Sequence, residues 1–203
     1  MNATTAAAVL AAAIAWGQPA CAEPARDPAS RHEASTVVRG TKLQLNGAGV
    51  RYKAVFQVYS AALYLPRRSS APDDVIAMPG AKRVALTMLR EIDATELGKL
   101  FSRGMEDNME RSAFSRLVPG IMRMSQIFSE QKRLNPGDAV SIDWVPGMGT
   151  LVTVRGVQQG EPFKEPEFFQ ALLRIWLGRQ PADWRLKDAL LGKPPATQAQ
   201  SSL

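Results

Sequence analysis

The chain has one cysteine and one histidine among its 203 residues, Cys21 and His32. A single cysteine excludes an intramolecular disulfide, and a single histidine excludes a histidine-rich metal site. A serine–histidine triad would have to use His32, which lies in a polar segment close to the N-terminus. The sequence therefore predicts no metal and no cofactor, and it points away from thiol and imidazole chemistry.

Clusters of like charge are also absent, although the formal net charge is +6. The nearest approach to a basic patch is Arg67-Arg68 together with Lys82-Arg83, and no nucleic-acid binding motif accompanies it. We therefore interpret these cations as solvated surface and expect no nucleic acid as a partner. No feature of the sequence sets the oligomeric state.

The N-terminus has the pattern of a secretory signal peptide over residues 1–22. Residues 4–16 form an uncharged, alanine-rich apolar run that is too short to span a membrane. Ala20-Cys21-Ala22 places small residues where a signal peptidase reads, which predicts cleavage after Ala22. Lipidation of Cys21 is the alternative, but Gln18-Pro19-Ala20 is a poor lipobox. We expect a periplasmic mature chain without a transmembrane segment.

The rest of the chain divides into a polar lead-in over 23–40, a folded domain over 41–192 and a disordered tail over 193–203. Strands are predicted over 41–45, 51–65, 82–89, 140–145 and 150–154, and helices over 93–108, 119–132, 166–177 and 181–191. Because tight turns join neighbouring strands, we expect an α+β fold, with an antiparallel sheet packed on one face by helices.

One charged residue shares a strand face with apolar residues. Asn46-Gly47 is a strong hairpin dipeptide, which predicts a turn there. In the strand that follows, alternation places Arg51 on one face with Val55, Tyr59 and Leu63. A guanidinium on an apolar face needs an anionic partner, because an unpaired buried charge is costly. That partner is either a carboxylate of the protein or a ligand.

Six motifs, in this order and spacing, resemble the chalcone isomerase family. They are Gly47-Ala48-Gly49-Val50-Arg51, Tyr64-Leu65, Asp107-Asn108, Pro146-Gly147-Met148-Gly149-Thr150, Ile175-Trp176-Leu177-Gly178 and Leu186-Lys187. Over residues 41–192 the chain is most similar to the exported, chalcone-isomerase-like branch of bacteria. The resemblance implies an open-faced sandwich of one sheet and one layer of helices.

The plant enzymes of this family close a flavanone ring by adding a phenolate to an enone. The resemblance implies that Arg51 and Asn108 stand at the positions of the family's arginine and asparagine. Phe101 and Ile175 stand where the enzymes have a tyrosine and a threonine. Neither replacement can donate a hydrogen bond to a ketone, which argues against the isomerase reaction.

Another branch of the family binds fatty acids and holds the carboxylate with the same arginine and a tyrosine. Arg51 with Tyr59 resembles that pair, since a guanidinium and a phenol both make strong bonds to a carboxylate. The resemblance predicts a ligand site of Arg51, Tyr59 and Asn108. Its apolar sleeve would be formed by Phe101, Met105 and Trp176, with Phe168 and Leu172.

Each of these residues also has an ordinary structural role to weigh. Arg51 can pair with Asp107 or Glu106, Asn108 can satisfy backbone groups, and the apolar residues can belong to the core. Our prediction is an exported protein that binds a small amphipathic anion, such as a fatty acid, without catalysis. The alternatives are an isomerase or intramolecular lyase acting on a chalcone-like phenolic enone, and an envelope protein-interaction module.

Overall fold

The computed structural model describes residues 32–194. The predicted signal peptide and residues 195–203 of the predicted tail lie outside this range. Within it, no helix is both long enough and apolar enough to cross a bilayer.

Seven strands form one antiparallel sheet in the order β1-β2-β3-β4-β7-β8-β9. Their bounds are β1 Ser35–Val38, β2 Thr41–Lys53, β3 Phe56–Leu65, β4 Lys82–Met88, β7 Ala139–Val145, β8 Gly149–Val154 and β9 Val157–Gln158. Two short strands, β5 (Ile92–Asp93) and β6 (Arg133–Leu134), pair separately. The sheet begins with β1, inside the segment that we interpreted as a polar lead-in.

Among residues 32–194, five helices accompany the sheet, and the predicted α+β class is confirmed. They are α1 Pro72–Ala77, α2 Ala94–Glu106, α3 Arg111–Gln131, α4 Pro166–Leu177 and α5 Trp184–Leu190. Helix α4 has the predicted bounds, and the Asp93 carboxylate caps α2 by accepting from the Glu96 backbone N–H at 3.1 Å.

Two helix starts differ from the prediction. Helix α3 begins at Arg111 and continues through Pro119, which has no N–H to donate and therefore removes one backbone hydrogen bond of the helix. Helix α5 begins at Trp184 and not at Pro181, because Asp183 accepts from the backbone N–H groups of Arg185 and Leu186.

The turn predicted at Asn46-Gly47 is wrong, because β2 runs through these residues and ends at Lys53. At this point the strand has only a register shift, between Leu45 and Gly47, as in a β-bulge. The β2–β3 hairpin turns at Ala54 and Val55, so Val55 is 82% exposed and does not share the face of Arg51. Gly47 is needed for close packing, since a Cβ there would overlap the carbonyl oxygen of Ala189 in α5.

The helices cover the sheet face that carries Arg51. Strand pairing sets Arg51 opposite Tyr59, and Tyr59 opposite Met88 on β4. Tyr59 and Met88 belong to the main core, which the sheet forms with α2, α3 and α4. The end of β2 therefore brings one cation to the edge of the main core.

Candidate functional site

Arg51 is partly buried at the end of β2, with its guanidinium carbon 5.8 Å from the ring centroid of Tyr59. Its Nε is buried and has no hydrogen-bond partner within the described range. The ion pairs formed among residues 32–194 do not include Arg51. The structural alternative, an ion pair with Asp107 or Glu106, is therefore not formed there.

Tyr59 is 2% exposed, and its hydroxyl oxygen accepts a hydrogen bond of 2.9 Å from the indole N–H of Trp176. Burial raises the pKa of the Tyr59 phenol above its ordinary value of 10.0, although the nearby Arg51 charge opposes the shift. The phenol therefore stays protonated at neutral pH. Its own O–H remains available as a donor beside the guanidinium of Arg51.

A cavity of about 230 Å³ opens beside Arg51 and Tyr59. Its apolar walls come from α2, the end of α4 and the loop between α4 and α5, and they consist of Leu97, Leu100, Phe101, Gly104, Ile175, Pro181 and Ala182. Its remaining lining residues are Arg103, Asp107 and Gln180, all of which are exposed. The cavity thus joins a cationic and hydroxylic end to hydrocarbon walls.

Phe101 and Ile175 line this cavity with hydrocarbon. Phe101 also packs edge-to-face on Trp176, with ring centroids 5.4 Å apart, and on Phe128 at 5.3 Å. At the two positions where the resemblance places hydroxyls in the enzymes, the cavity therefore has no hydrogen-bond donor.

Asn108 lies just beyond α2 and has its amide engaged by backbone groups. Its Nδ2 donates to the carbonyls of Gly104 at 2.9 Å and Gln180 at 2.8 Å, and its Oδ1 accepts from the Gln180 N–H at 2.7 Å. It does not line the cavity beside Arg51. Asn108 instead fastens the α4–α5 loop to the end of α2, and that loop forms one wall of the cavity.

The predicted apolar sleeve is closed in this structure. Met105 and Trp176 are each 1% exposed and lie in the core, as do Phe168 and Leu172. Trp176 reaches the site only through its hydrogen bond to Tyr59. The structure therefore brings together Arg51, Tyr59 and Phe101, with Trp176 behind them, and keeps Met105 and Asn108 out of the cavity lining.

Several residues that line the cavity, in place of the predicted sleeve, were not predicted as site residues. Leu97 and Leu100 share the helical face of Phe101, so the periodicity of α2 contains a signal for them. The loop residues Gln180, Pro181 and Ala182 have no comparable signal, because their position depends on the tertiary contact with Asn108.

A larger cavity of about 710 Å³ adjoins the first one and shares Asp107 and Gln180 with it. Its charged lining residues balance in sign and consist of Asp73, Asp107, Glu110, Arg174, Arg179 and Lys187. Burial lowers the pKa of Lys187, whose ammonium donates to the Gly178 carbonyl at 2.7 Å. Such a lining is unsuited to an acyl tail.

The described residues contain no group of acidic, histidine or cysteine side chains that could hold a metal ion. The histidine makes a polar contact, since His32 Nε2 lies 3.1 Å from the Ser60 hydroxyl. Ser60 has no exposed surface, so this pair presents no accessible nucleophile.

A curled antiparallel sheet with helices on one face is the architecture of the chalcone isomerase fold. The model of the chalcone isomerase-like family matches residues 29–192, and this chain belongs to that family. The predicted family and fold are thereby confirmed, while membership of the exported bacterial branch stays a prediction.

Among solved structures, a fatty-acid binding protein of Arabidopsis thaliana is similar to this chain with a TM-score of 0.62 and 14% sequence identity. The similarity covers 77% of this chain and 95% of the plant protein. At this identity it demonstrates a shared fold. A comparison with curated proteins gives no match.

Proposed function

We propose that this chain binds a small amphipathic carboxylate, such as a fatty acid, with the carboxylate at Arg51. The observation that carries the proposal is the partly buried guanidinium of Arg51, which has an unpartnered Nε and lies beside the Tyr59 hydroxyl at an apolar cavity. A buried charge without a partner is costly, and a bound carboxylate offsets that cost with charge-assisted hydrogen bonds.

The ligand class has support from the family. The Arabidopsis protein that shares the fold is a fatty-acid binding protein. A fatty acid also matches the chemistry of the cavity, since it combines one anionic group with a hydrocarbon chain. The adjoining larger cavity fits less well, because its lining is charged.

The size of the cavity favours a short tail. Its volume of about 230 Å³ lies below the range of roughly 300–1,000 Å³ that is typical of small-molecule pockets. Burying each CH₂ group contributes about 0.8 kcal/mol. We therefore expect affinity to rise with chain length until the cavity is filled and then to level off, because further carbons stay at the exposed rim.

We also propose that binding occurs without catalysis. Phe101 and Ile175 leave the walls without the hydroxyls that would polarise a ketone. Arg51 alone can still stabilise an oxyanion, and confinement of a substrate accelerates ring closure. The direct test is the cyclisation of a chalcone: a rate above that of buffer and dependent on Arg51 would show an isomerase instead.

The site of action that we propose is the periplasm, on the strength of the signal pattern in residues 1–22. Cell fractionation followed by intact-mass measurement is the test. A periplasmic chain that begins at Glu23 is expected. A cytoplasmic chain that still begins at Met1 would contradict export.

The decisive experiment for binding compares two arginine substitutions. Arg51→Met removes the proposed carboxylate partner, and Arg68→Met removes an equal charge at an exposed position outside the cavity. Calorimetric titration with octanoate should show a loss of about tenfold or more for Arg51→Met, as expected for hydrogen bonds to a charged group. The Arg68→Met affinity should equal that of the wild type.

Native mass spectrometry of the same three proteins provides a second readout. We expect the wild type and Arg68→Met to retain a co-purified carboxylate that Arg51→Met lacks. An equal ligand load on Arg51→Met, or equal octanoate affinities, would show that the carboxylate does not bind at Arg51.

A further inference from the structure

Four large apolar side chains are exposed at one end of the molecule. Tyr52, Val55 and Phe56 surround the β2–β3 turn, and Trp184 begins α5. Phe56 is 58% exposed and Trp184 is 62% exposed. We call these four residues the aromatic tip.

The two parts of the aromatic tip are joined by a hydrogen bond. The Tyr52 backbone N–H donates to Asp183 Oδ2 at 3.0 Å, and Asp183 immediately precedes Trp184. The extensive packing of α5 on β2 holds the helix against the hairpin. The hydrogen bond and this packing therefore keep the β2–β3 turn and the start of α5 side by side at this end of the molecule.

Cations surround the aromatic tip. The Arg90 guanidinium lies 5.0 Å from the ring centroid of Phe56, and the Lys187 ammonium lies 5.0 Å from that of Trp184. Lys53 and Arg185 are exposed in the same two segments. The surface thus combines apolar side chains with positive charge.

The neighbouring carboxylates are already engaged. Asp183 accepts from three backbone N–H groups, those of Tyr52, Arg185 and Leu186. Glu91, next to Arg90, pairs with Arg133 at 3.1 Å, and Asp188 of α5 pairs with Lys193 at 3.1 Å. Asp183 keeps its negative charge, because its partners are neutral, but the four cations named above outnumber it, and Glu91 and Asp188 have cations of their own.

We propose that the aromatic tip docks on a membrane surface that contains anionic phospholipid. Aromatic side chains favour the interface between headgroups and acyl chains, and lysine and arginine are attracted to anionic headgroups. A protein partner fits less well, because a standard protein interface buries about 800 Å² on each side and four side chains on a convex turn offer much less.

The aromatic tip also adjoins the ligand cavity along both chain segments that form it. Arg51, which lines the cavity, is followed directly by Tyr52, and the wall residues Pro181 and Ala182 lead directly into Asp183 and Trp184. Docking would bring the cavity close to the bilayer surface, where fatty acids reside. This role for the membrane as the source of ligand rests on the binding function proposed above.

Vesicle co-sedimentation tests the docking. The tip variant, Phe56→Ser/Trp184→Ser, is compared with the control variant Met122→Ser/Val157→Ser, which removes two equally exposed apolar side chains from α3 and β9. All proteins retain the same N-terminal residues, so the apolar run at residues 4–16 contributes equally to each.

With vesicles that mix phosphatidylglycerol and phosphatidylcholine, we expect the tip variant to bind about tenfold more weakly than the wild type and the control variant. The wild type should bind pure phosphatidylcholine about tenfold more weakly than the mixture. Equal binding by the tip and control variants, or indifference of the wild type to anionic lipid, would overturn the proposal. So would a wild-type dimer that the tip substitutions dissociate, since the tip would then join two copies of the chain.

Titration with octanoate in the absence of vesicles separates this proposal from the proposed function. We expect the tip variant to keep its octanoate affinity and Arg51→Met to lose octanoate while retaining vesicle binding. Failure of octanoate binding in the wild type would refute the ligand function alone, whereas failure of vesicle binding would refute docking alone.

Discussion

Arg51 is held at the cavity by its place on β2 and by its contact with the Tyr59 ring, and not by ion pairs within the described range. This arrangement differs from that of Arg83, whose Nε and Nη2 bond to the two carboxylate oxygens of Asp143 at 2.6 and 2.7 Å. An arginine that stabilises the fold is paired, as Arg83 is. The unpaired guanidinium of Arg51 is typical of a side chain that meets its partner in a ligand.

The two arginines should therefore respond differently to substitution. Arg51→Met should change the free energy of unfolding by less than about 1 kcal/mol, because only a cation–π contact is lost. Arg83→Met should cost about 3–5 kcal/mol, because it leaves Asp143, which is 5% exposed, without its counter-ion. Urea denaturation of both variants is the measurement. A loss for Arg51→Met as large as that for Arg83→Met would show a structural role for Arg51.

Removing the hydrogen bond between Trp176 and Tyr59 should lower both stability and ligand affinity. Tyr59→Phe leaves the buried Trp176 N–H without an acceptor, which should cost about 1–3 kcal/mol of stability. Tyr59→Phe should also weaken octanoate binding, because phenylalanine has no hydroxyl to donate to the carboxylate. A double-mutant cycle with Trp176→Phe, measured by urea denaturation, should give a coupling energy of about 0.5–3 kcal/mol. Additive effects would show that the bond contributes nothing to stability.

At the scale of elements, the contact between β2 and α5 shapes the site, because α5 follows the loop that walls the cavity. A Cβ at Gly47 would lie 2.8 Å from the Leu190 carbonyl oxygen and 2.9 Å from the Gly192 nitrogen, besides overlapping Ala189. The Asn46 side chain strengthens the same contact by donating to the Leu190 carbonyl at 2.7 Å. The approach is therefore backbone to backbone and leaves no room for a side chain.

Gly47→Ala should displace α5 and destabilise the protein by about 1–3 kcal/mol or more, as overpacking does. Octanoate affinity should fall as well, because Pro181 and Ala182 move with the helix. Ala48→Ser, at the neighbouring position on the opposite sheet face, is the control and should leave both properties close to those of the wild type. Thermal unfolding and calorimetry measure the two effects. An unchanged melting temperature for Gly47→Ala would contradict the packing.

The same contact explains which elements could be predicted from the sequence. Helix α4 has local signals at both ends, with Pro166 at its start and Gly178 after its last residue, and its bounds were predicted correctly. Asn46-Gly47 also has a local signal, that of a hairpin turn. The glycine is instead required by packing on α5, whose Leu190 lies 144 residues after Asn46. Local sequence patterns therefore predicted helix α4 correctly, whereas the conformation at Asn46-Gly47 depends on packing against a distant part of the chain.

The candidate site was likewise predicted only in part from the sequence. Arg51 and Tyr59 were predicted to share a face, and β2–β3 pairing sets them opposite each other. The open sleeve was not found, because Met105, Phe168 and Leu172 fill the space between the sheet and the helices. Periodicity identifies an apolar face, but it does not distinguish the wall of a cavity from the core.

At the scale of the whole molecule, the two faces of the sheet have different roles. The face away from the helices carries a small second cluster, and the N-terminal segment is bound to that side by the Tyr64 hydroxyl, which donates to the Glu33 carbonyl at 3.0 Å. The helix face carries the main core, with the cavity at the end where Arg51 and the β2–β3 turn lie. The cavity and the aromatic tip, for which we propose ligand binding and membrane docking, therefore lie at the same end of the molecule.

Stability of the whole molecule should depend on pH through one buried lysine. The interpretation of Lys82 as solvated surface is wrong, because Lys82 is 3% exposed and its ammonium donates to the carbonyls of Val75, Ile76 and Met78 at the end of α1. Burial lowers its pKa from 10.5 to about 8. The folded state therefore disfavours the charged form, and this cost is fully present below about pH 8.

Between the folded pKa of about 8 and the unfolded value of 10.5, the unfolded chain binds more protons than the folded protein. The stability contributed by Lys82 therefore increases as the pH rises through this window, by up to about 3 kcal/mol. The measurement is the free energy of unfolding in urea at pH 7 and pH 10 for the wild type and Lys82→Met. Other groups titrate equally in both proteins, so the wild type should gain stability relative to Lys82→Met as the pH rises. Parallel pH profiles would show that Lys82 keeps its ordinary pKa in the fold.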